Sequence, residues 1–373
     1  MARLTRRQVL AAAALSSLGG CVSDETAGGS TTPSATAGSG TAESSGETAG
    51  AQELPTAEER LPLPMSPTRL REQARSGGPP KDGIPSIDEP AFVDAGAVDY
   101  LDPGDPVFGV VRDGTAKAYP QKILAHHEIV NDELAGTNVA VTYCPLTGTV
   151  QGFERGGTTF GVSGRLLNAN LVMYDRATET WWPQMLATAI PGPWNEEPQI
   201  RSLREFRLVW TTWKRWREHR PATRVLSPDT GHARNYQRDP YGSYNPRRGY
   251  YDSDSLLFAP LYESDRFPRK TVVMGARTAD GAVAFLKDAL ATQRLMTGTL
   301  GDDSVLAVSD PRLETGYVYL NPAQHAYEPD GDAVVGPDGA THAPDALPLA
   351  RIRTFDAMWF AWAGYYPDTN VYG

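Results

Sequence analysis

Cys144, His127 and Glu128 are the side chains of this 373-residue sequence whose types and placing most invite chemistry. Cysteine attacks a substrate or binds a metal as its thiolate, and a nearby imidazole lowers the thiol pKa and takes up its proton. Cys144 as nucleophile with His127 as base is therefore one reading, with Glu128 as a third catalytic candidate. His126 and His127 are adjacent; on a helix such neighbours point about 100° apart, so both do not readily serve one ion. Thiolate, imidazole and thioether from Cys144, His127 and Met173 are the soft and borderline donors that copper takes. Cys144 and His127 with Glu128 or Asp132 would suit zinc. Neither set has a diagnostic local spacing. Each residue also has a structural use: Cys144 as a small buried apolar group, His127 at a helix end, Met173 in a core.

A second cluster is polar. Asn168, Asn170, Asp175, Arg176 and Gln184 alternate with Leu167, Leu171, Met173, Trp181 and Trp182, the mixture found in pockets for small hydroxylated ligands. A hydrogen-bonded turn network would use the same residues. Several enzyme templates are excluded: there is no Gly-x-Ser-x-Gly elbow, no phosphate-cradling loop ending in Lys-Ser/Thr and no His-Glu-x-x-His.

The elements that must position these groups are short. Asp113-Gly114 between Val107–Val111 and Ala116–Tyr119 predicts a hairpin. A short helix follows from Pro120 to Ile129, with proline in its first turn. Val139 to Tyr143 reads as a strand ending at Cys144-Pro145, a corner that presents side chains to a cleft. A further hairpin is expected from Gln151–Glu154 and Thr159–Val162 around Gly156-Gly157, then a strand over Leu171–Tyr174 and an aromatic helix over Trp210–His219. Between residues 229 and 259, Tyr236, Tyr241, Tyr244, Tyr250 and Tyr251 mingle with Arg234, Arg238, Arg247 and Arg248. That mixture recognises sugars or anions, or it packs over a seam.

The sequence also echoes itself. Tyr119, Leu124, Val139 and Val141 return 166 positions later as Phe285, Leu290, Val305 and Ala307, and Gly109 returns as Gly275. Trp213, Trp216, Thr223 and Val225 return 146 positions later as Trp359, Trp362, Thr369 and Val371. Thr292, Gln293 and Asp310 replace His126, His127 and Cys144. The expected fold is α+β and β-rich, with two pseudo-repeated units of hairpin, short helix and strands, chemistry being confined to the first.

The start of the chain carries Arg6-Arg7 before an Ala/Leu-rich run that ends in Leu18-Gly19-Gly20-Cys21. This predicts a twin-arginine lipoprotein signal peptide over 1–20, with lipidation at Cys21. The protein is then expected on the outer face of the cytoplasmic membrane, held by its N-terminal lipid. A disordered Ser/Thr/Gly/Ala tether over 21–53 and an extended Pro-rich lead-in over 54–81 come next. The first unit is placed at 82–259 and the second, degenerate unit at 260–373. With 45 acidic against 35 basic residues and a net charge of −10, a nucleic-acid partner is excluded. If Cys21 carries lipid, Cys144 is the one remaining thiol and no internal disulfide forms.

Asp82-Gly83-Ile84-Pro85, Ala118-Tyr119-Pro120, His127-Glu128-Ile129-Val130-Asn131-Asp132, Thr142-Tyr143-Cys144-Pro145-Leu146, Phe160-Gly161-Val162-Ser163-Gly164, Met173-Tyr174-Asp175-Arg176 and Asp239-Pro240-Tyr241-Gly242 occur in this order. The series resembles the family known as domain of unknown function 3179, strongly over about residues 80 to 260 and less well beyond. The resemblance implies an extracytoplasmic protein without an established activity. It favours His127 over His126, and its motifs add Asn131, Asp132, Thr147, Ser163 and Tyr241 to the ligand-binding candidates. Members commonly carry Cys-Pro-Leu-Cys-Gly-Thr, where this chain has Thr147 at the second cysteine position. That departure counts against a dithiol or two-thiolate function here.

Three functions follow as expectations. The first is an exported, lipid-anchored protein binding a small ligand or a metal, copper or zinc, in its first unit. The second is a thiol-dependent enzyme using Cys144 and His127, and the third is a scaffold without a site. No protein partner is indicated.

Overall fold

The structure is a computed structural model that describes residues 53–373. The expected signal peptide, Cys21 and the tether up to residue 52 lie outside the described residues. The lead-in, expected to be extended throughout, contains a helix at Pro67–Gln73. Its start follows from local chemistry: the Ser66 hydroxyl accepts from Arg69 N–H and Pro67 occupies the first turn, where its missing N–H costs nothing. Leu70 on this helix is fully buried.

Pro106–Arg112 and Thr115–Pro120 form the expected hairpin. Its turn residues Asp113 and Gly114 both take positive φ, 47° and 79°, the backbone that matches the twist of the flanking strands. The helix Gln121–His127 follows, and Ile129–Leu134, Thr137–Cys144 and Thr149–Glu154 then pair in succession. Val209–Thr212 adds to the outer edge of the first hairpin, and the helix Trp213–His219 leads to Arg224–Leu226, which runs parallel to Thr115–Pro120. This helix starts three residues later than expected because Thr212 caps it and Val209–Thr212 is strand.

The hairpin expected around Gly156-Gly157 does not form. Thr149–Glu154 pairs with Thr137–Cys144, whereas Phe160–Leu167 pairs with Asn170–Asp175 in another sheet. The glycines turn the chain from one sheet to the next.

From Val272 the same order of elements occurs: Val272–Thr278, Gly281–Leu286, the helix Lys287–Gln293, Leu295–Leu300, Asp303–Asp310 and Thr315–Leu320. Thr354–Met358 then adds to the edge, and the helix Trp359–Tyr365 leads to Asn370–Tyr372, parallel to Gly281–Leu286. In both stretches a tryptophan lies flat on a strand glycine. A Cβ on Gly109 would meet the Trp216 ring at 2.3 Å, and one on Gly275 the Trp362 ring at 2.0 Å. Each indole N–H donates to a threonine, Trp216 to Thr223 at 3.0 Å and Trp362 to Thr369 at 3.2 Å. Gly275→Ala is therefore expected to lower stability by about 1–3 kcal/mol through overpacking, and Gly109→Ala similarly, as read by urea unfolding.

The tyrosines of residues 229–259 pack inward: Tyr236 and Tyr251 are buried, and Tyr244 stacks on Tyr251 with ring centroids 3.9 Å apart. Tyr241, Tyr244 and Tyr250 lie against a core that includes Met358 and Trp359, so this connection does cover a seam. Arg238, Arg247 and Arg248 stay exposed. Among the described residues no helix is long and apolar enough to cross a membrane.

Candidate functional site

The end of the Gln121–His127 helix and the end of the Thr137–Cys144 strand meet at one corner. Ile129 faces Thr142 in register, and Tyr143 N–H donates to the Glu128 carbonyl at 2.7 Å. Glu128 closes the helix with φ 59°, its N–H bonded to Leu124 O. Its side chain is the exceptional one. Glu128 is 5% exposed; its carboxyl makes no hydrogen bond or ion pair within the described residues, and its oxygens are not fully enclosed. Burial alone lifts its pKa to about 8, so it is mostly protonated at neutral pH.

Cys144 is fully buried beside it. Burial, and then the Glu128 carboxyl, push the thiol up to about 11. Tyr241, partly buried, completes the corner: its hydroxyl also lacks a hydrogen bond, and burial followed by Glu128 and Cys144 holds it well above the ordinary phenol range. At pH 7 the three groups are a neutral carboxyl, a neutral thiol and a neutral phenol. They are hydrogen-bond donors in an apolar corner, the reverse of what a thiolate needs. Ellman's reagent is accordingly expected to count the same thiols in the native parent and in Cys144→Ser, and one more in the parent only after denaturation.

His127 is directed elsewhere. Its Nδ1 lies 2.7 Å from Pro85 O, which can only accept, so Nδ1 carries the proton. Nε2 then accepts from the Tyr236 hydroxyl at 2.6 Å, and Tyr236 in turn accepts from Thr230 at 2.5 Å. Burial lowers the His127 pKa to about 4, so the ring is neutral. Both nitrogens are engaged, and no hydrogen bond joins His127 to Cys144. Met173 is a fully buried member of an apolar cluster with Cys144. Among the described residues no three His, Cys, Asp or Glu side chains are grouped to hold a metal ion. The zinc set is thus not grouped, and for the copper set both His127 nitrogens are taken by Pro85 and Tyr236.

The remaining candidates serve internal bonds. Asn170 donates to Thr147 at 3.0 Å and to Gln184 at 2.9 Å; Thr149 donates to Gln184 at 2.6 Å, and Gln184 reaches Thr142 at 3.0 Å. This closed network ties three strands together. Asn131 pairs with Asp88 and with both backbone groups of Phe160, and Asp132 holds Lys117 and the Tyr119 hydroxyl. Ser163 bonds Val172 O at a strand irregularity, and Asp175 holds Thr178 and Trp182. Arg176 fastens Asp82, Ser86 and Asp88, while Asn168 bonds Ala361 O and Leu261 N–H. The sequence reading missed Thr142, Thr149 and Gln151 in this network and Tyr236 on His127. Thr149 and Gln151, two apart on one strand face, were the available signal.

Residues 81–369 match the model of a family described as Protein of unknown function (DUF3179). The chain belongs to this family. The match reaches well past residue 260, where the sequence resemblance weakened, and takes in both stretches of the fold. No curated protein and no solved structure matches the chain.

This DUF3179 protein builds the same corner at Arg294 and Asp310. Arg294 takes φ 72°, its N–H bonds Leu290 O, and Ser309 N–H donates to its carbonyl at 2.8 Å. The left-handed corner therefore belongs to the fold, and glutamate is not required to form it. Asp310, at the place of Cys144, is fully buried but paired with Arg312 through both oxygens at 2.9 and 2.8 Å. Of these two corners, the one at Glu128 leaves its largely buried carboxyl without a protein partner.

Proposed function

We propose that this protein is an exported, lipid-anchored binding protein, not a thiol enzyme, whose site is the Glu128, Cys144 and Tyr241 corner. The observation that supports the reading is the Glu128 carboxyl, largely buried and without a protein partner while its oxygens are not among the fully enclosed atoms, so that a ligand can reach them. With the neutral Glu128 carboxyl and Tyr241 phenol as its donors, and the Cys144 thiol turned to Ala169 O, the ligand is a small uncharged molecule rich in acceptor oxygens. The export and anchoring steps rest on Arg6-Arg7 and on Leu18-Gly19-Gly20-Cys21. The second unit is a structural copy without a site. Its elements begin and end at the same spacing from their counterparts, as Gln121–His127 and Lys287–Gln293 do, and the Gly109–Trp216 packing returns as Gly275–Trp362.

The test is solvent extraction and mass spectrometry of the full chain purified from its native host, beside Glu128→Leu and Cys144→Ser, with elemental analysis of each. A stoichiometric organic molecule in the parent that Glu128→Leu lacks is the expected result. Copper or zinc lost in Cys144→Ser would replace it with a metal site, and an empty parent would favour the scaffold.

A further inference from the structure

A cleft of about 460 Å³ lies away from that corner, walled by Arg112, Glu154, Glu205, Arg207, Arg351 and Arg353 over an apolar floor. Its charges do not balance. Glu154 is already paired with Arg112 at 3.0 Å and Arg204 at 3.5 Å, and Glu205 with the buried Arg277 at 2.9 Å. Arg207, Arg351 and Arg353 form no ion pair among the described residues. Arg207 bonds only neutral oxygens, those of Thr315, Gly316 and Thr354, and its buried Nε has no partner. Arg353 makes no hydrogen bond; burial lowers its pKa, Glu205 and Glu154 attract it across the cleft, and Arg351 and Arg112 repel it. Four arginines against two glutamates leave the cleft positive, against the trend of a chain of net charge −10.

We propose that this cleft binds a tetrahedral oxyanion of the phosphate or sulfate class, with Arg351 and Arg353 as its fork-shaped donors and Arg207 beneath them. Planar guanidinium groups match such oxygens two at a time, and each charge-assisted bond adds specificity as well as affinity. The probe is inorganic phosphate, titrated calorimetrically into the full chain at constant ionic strength in chloride. Saturable binding is expected in the parent and in Arg248→Ala, an exposed arginine that does not line the cleft. The double variant Arg351→Ala/Arg353→Ala is expected to bind on the order of tenfold more weakly or worse. The double variant with lysine at both positions, which keeps the charge but not the fork, should fall between. No saturable heat in the parent, or equal binding in the alanine double variant, would overturn the proposal. Neither result bears on Glu128, whose ligand is uncharged and read by extraction.

Discussion

Glu128→Gln is expected to make the protein about 4 kcal/mol more stable at pH 8 and to change it little at pH 4. The folded carboxyl has its pKa raised to about 8 from an ordinary 4.5, and the cause is burial. Between those values the folded state holds a proton that the unfolded chain has lost. What the neutral carboxyl contributes is thus fully present below pH 4.5 and drains away as the pH climbs to about 8. Above that, the parent must carry an unpaired buried charge. Glutamine has nearly the same shape and no proton to lose, so its stability should stay flat through the window. Urea unfolding of both proteins at several pH values between 4 and 8.5 reads the difference directly. Parallel curves would mean that Glu128 has an ordinary pKa and a partner, and the proposed site would lose its basis.

A side chain that weakens the fold at neutral pH, at a corner which Arg294 forms equally well, is a local rule broken without a structural return. Such breaks concentrate where a protein has kept a group for what it binds. The same reasoning sets Asn170 and Gln184 aside, because every strong polar group in their network is met.

Much of the fold was legible because it depends on local chemistry. Asp113-Gly114 specifies its turn wherever it occurs between strands, and Trp216 and Trp362, singled out in the sequence, each pack on a strand glycine. Gly156-Gly157 misled because glycine permits a turn without stating whether the strands on either side pair with each other. The site was less legible. His127 and Cys144 flank one corner, yet the partners that turn the imidazole away are Pro85 and Tyr236, 42 and 109 residues distant in sequence. Glu128 entered as a companion of His127, whereas its distinction is an absence of partners that only three dimensions reveal.

Glu205→Ala is the second change with a large expected effect, a loss of about 3–5 kcal/mol. Glu205 lies on the short strand Glu205–Phe206 beside Thr149–Glu154, and its carboxylate meets Arg277 of Val272–Thr278 at 2.9 Å. The Arg277 side chain is wholly buried, with Nε and Nη1 unpartnered, so Glu205 is its one counter-charge. Removing Glu205 leaves a guanidinium that can neither reach water nor give up its proton. Arg277→Met in the same background removes the stranded charge and fills much of the space, so the double variant should regain most of the loss. A urea-unfolding cycle over the four proteins measures the coupling between the two positions. Simple additivity would mean that water reaches Arg277 in the folded protein. The strong coupling expected instead makes this ion pair a charged tie between the two sheet stretches, one whose worth lies in both partners being present.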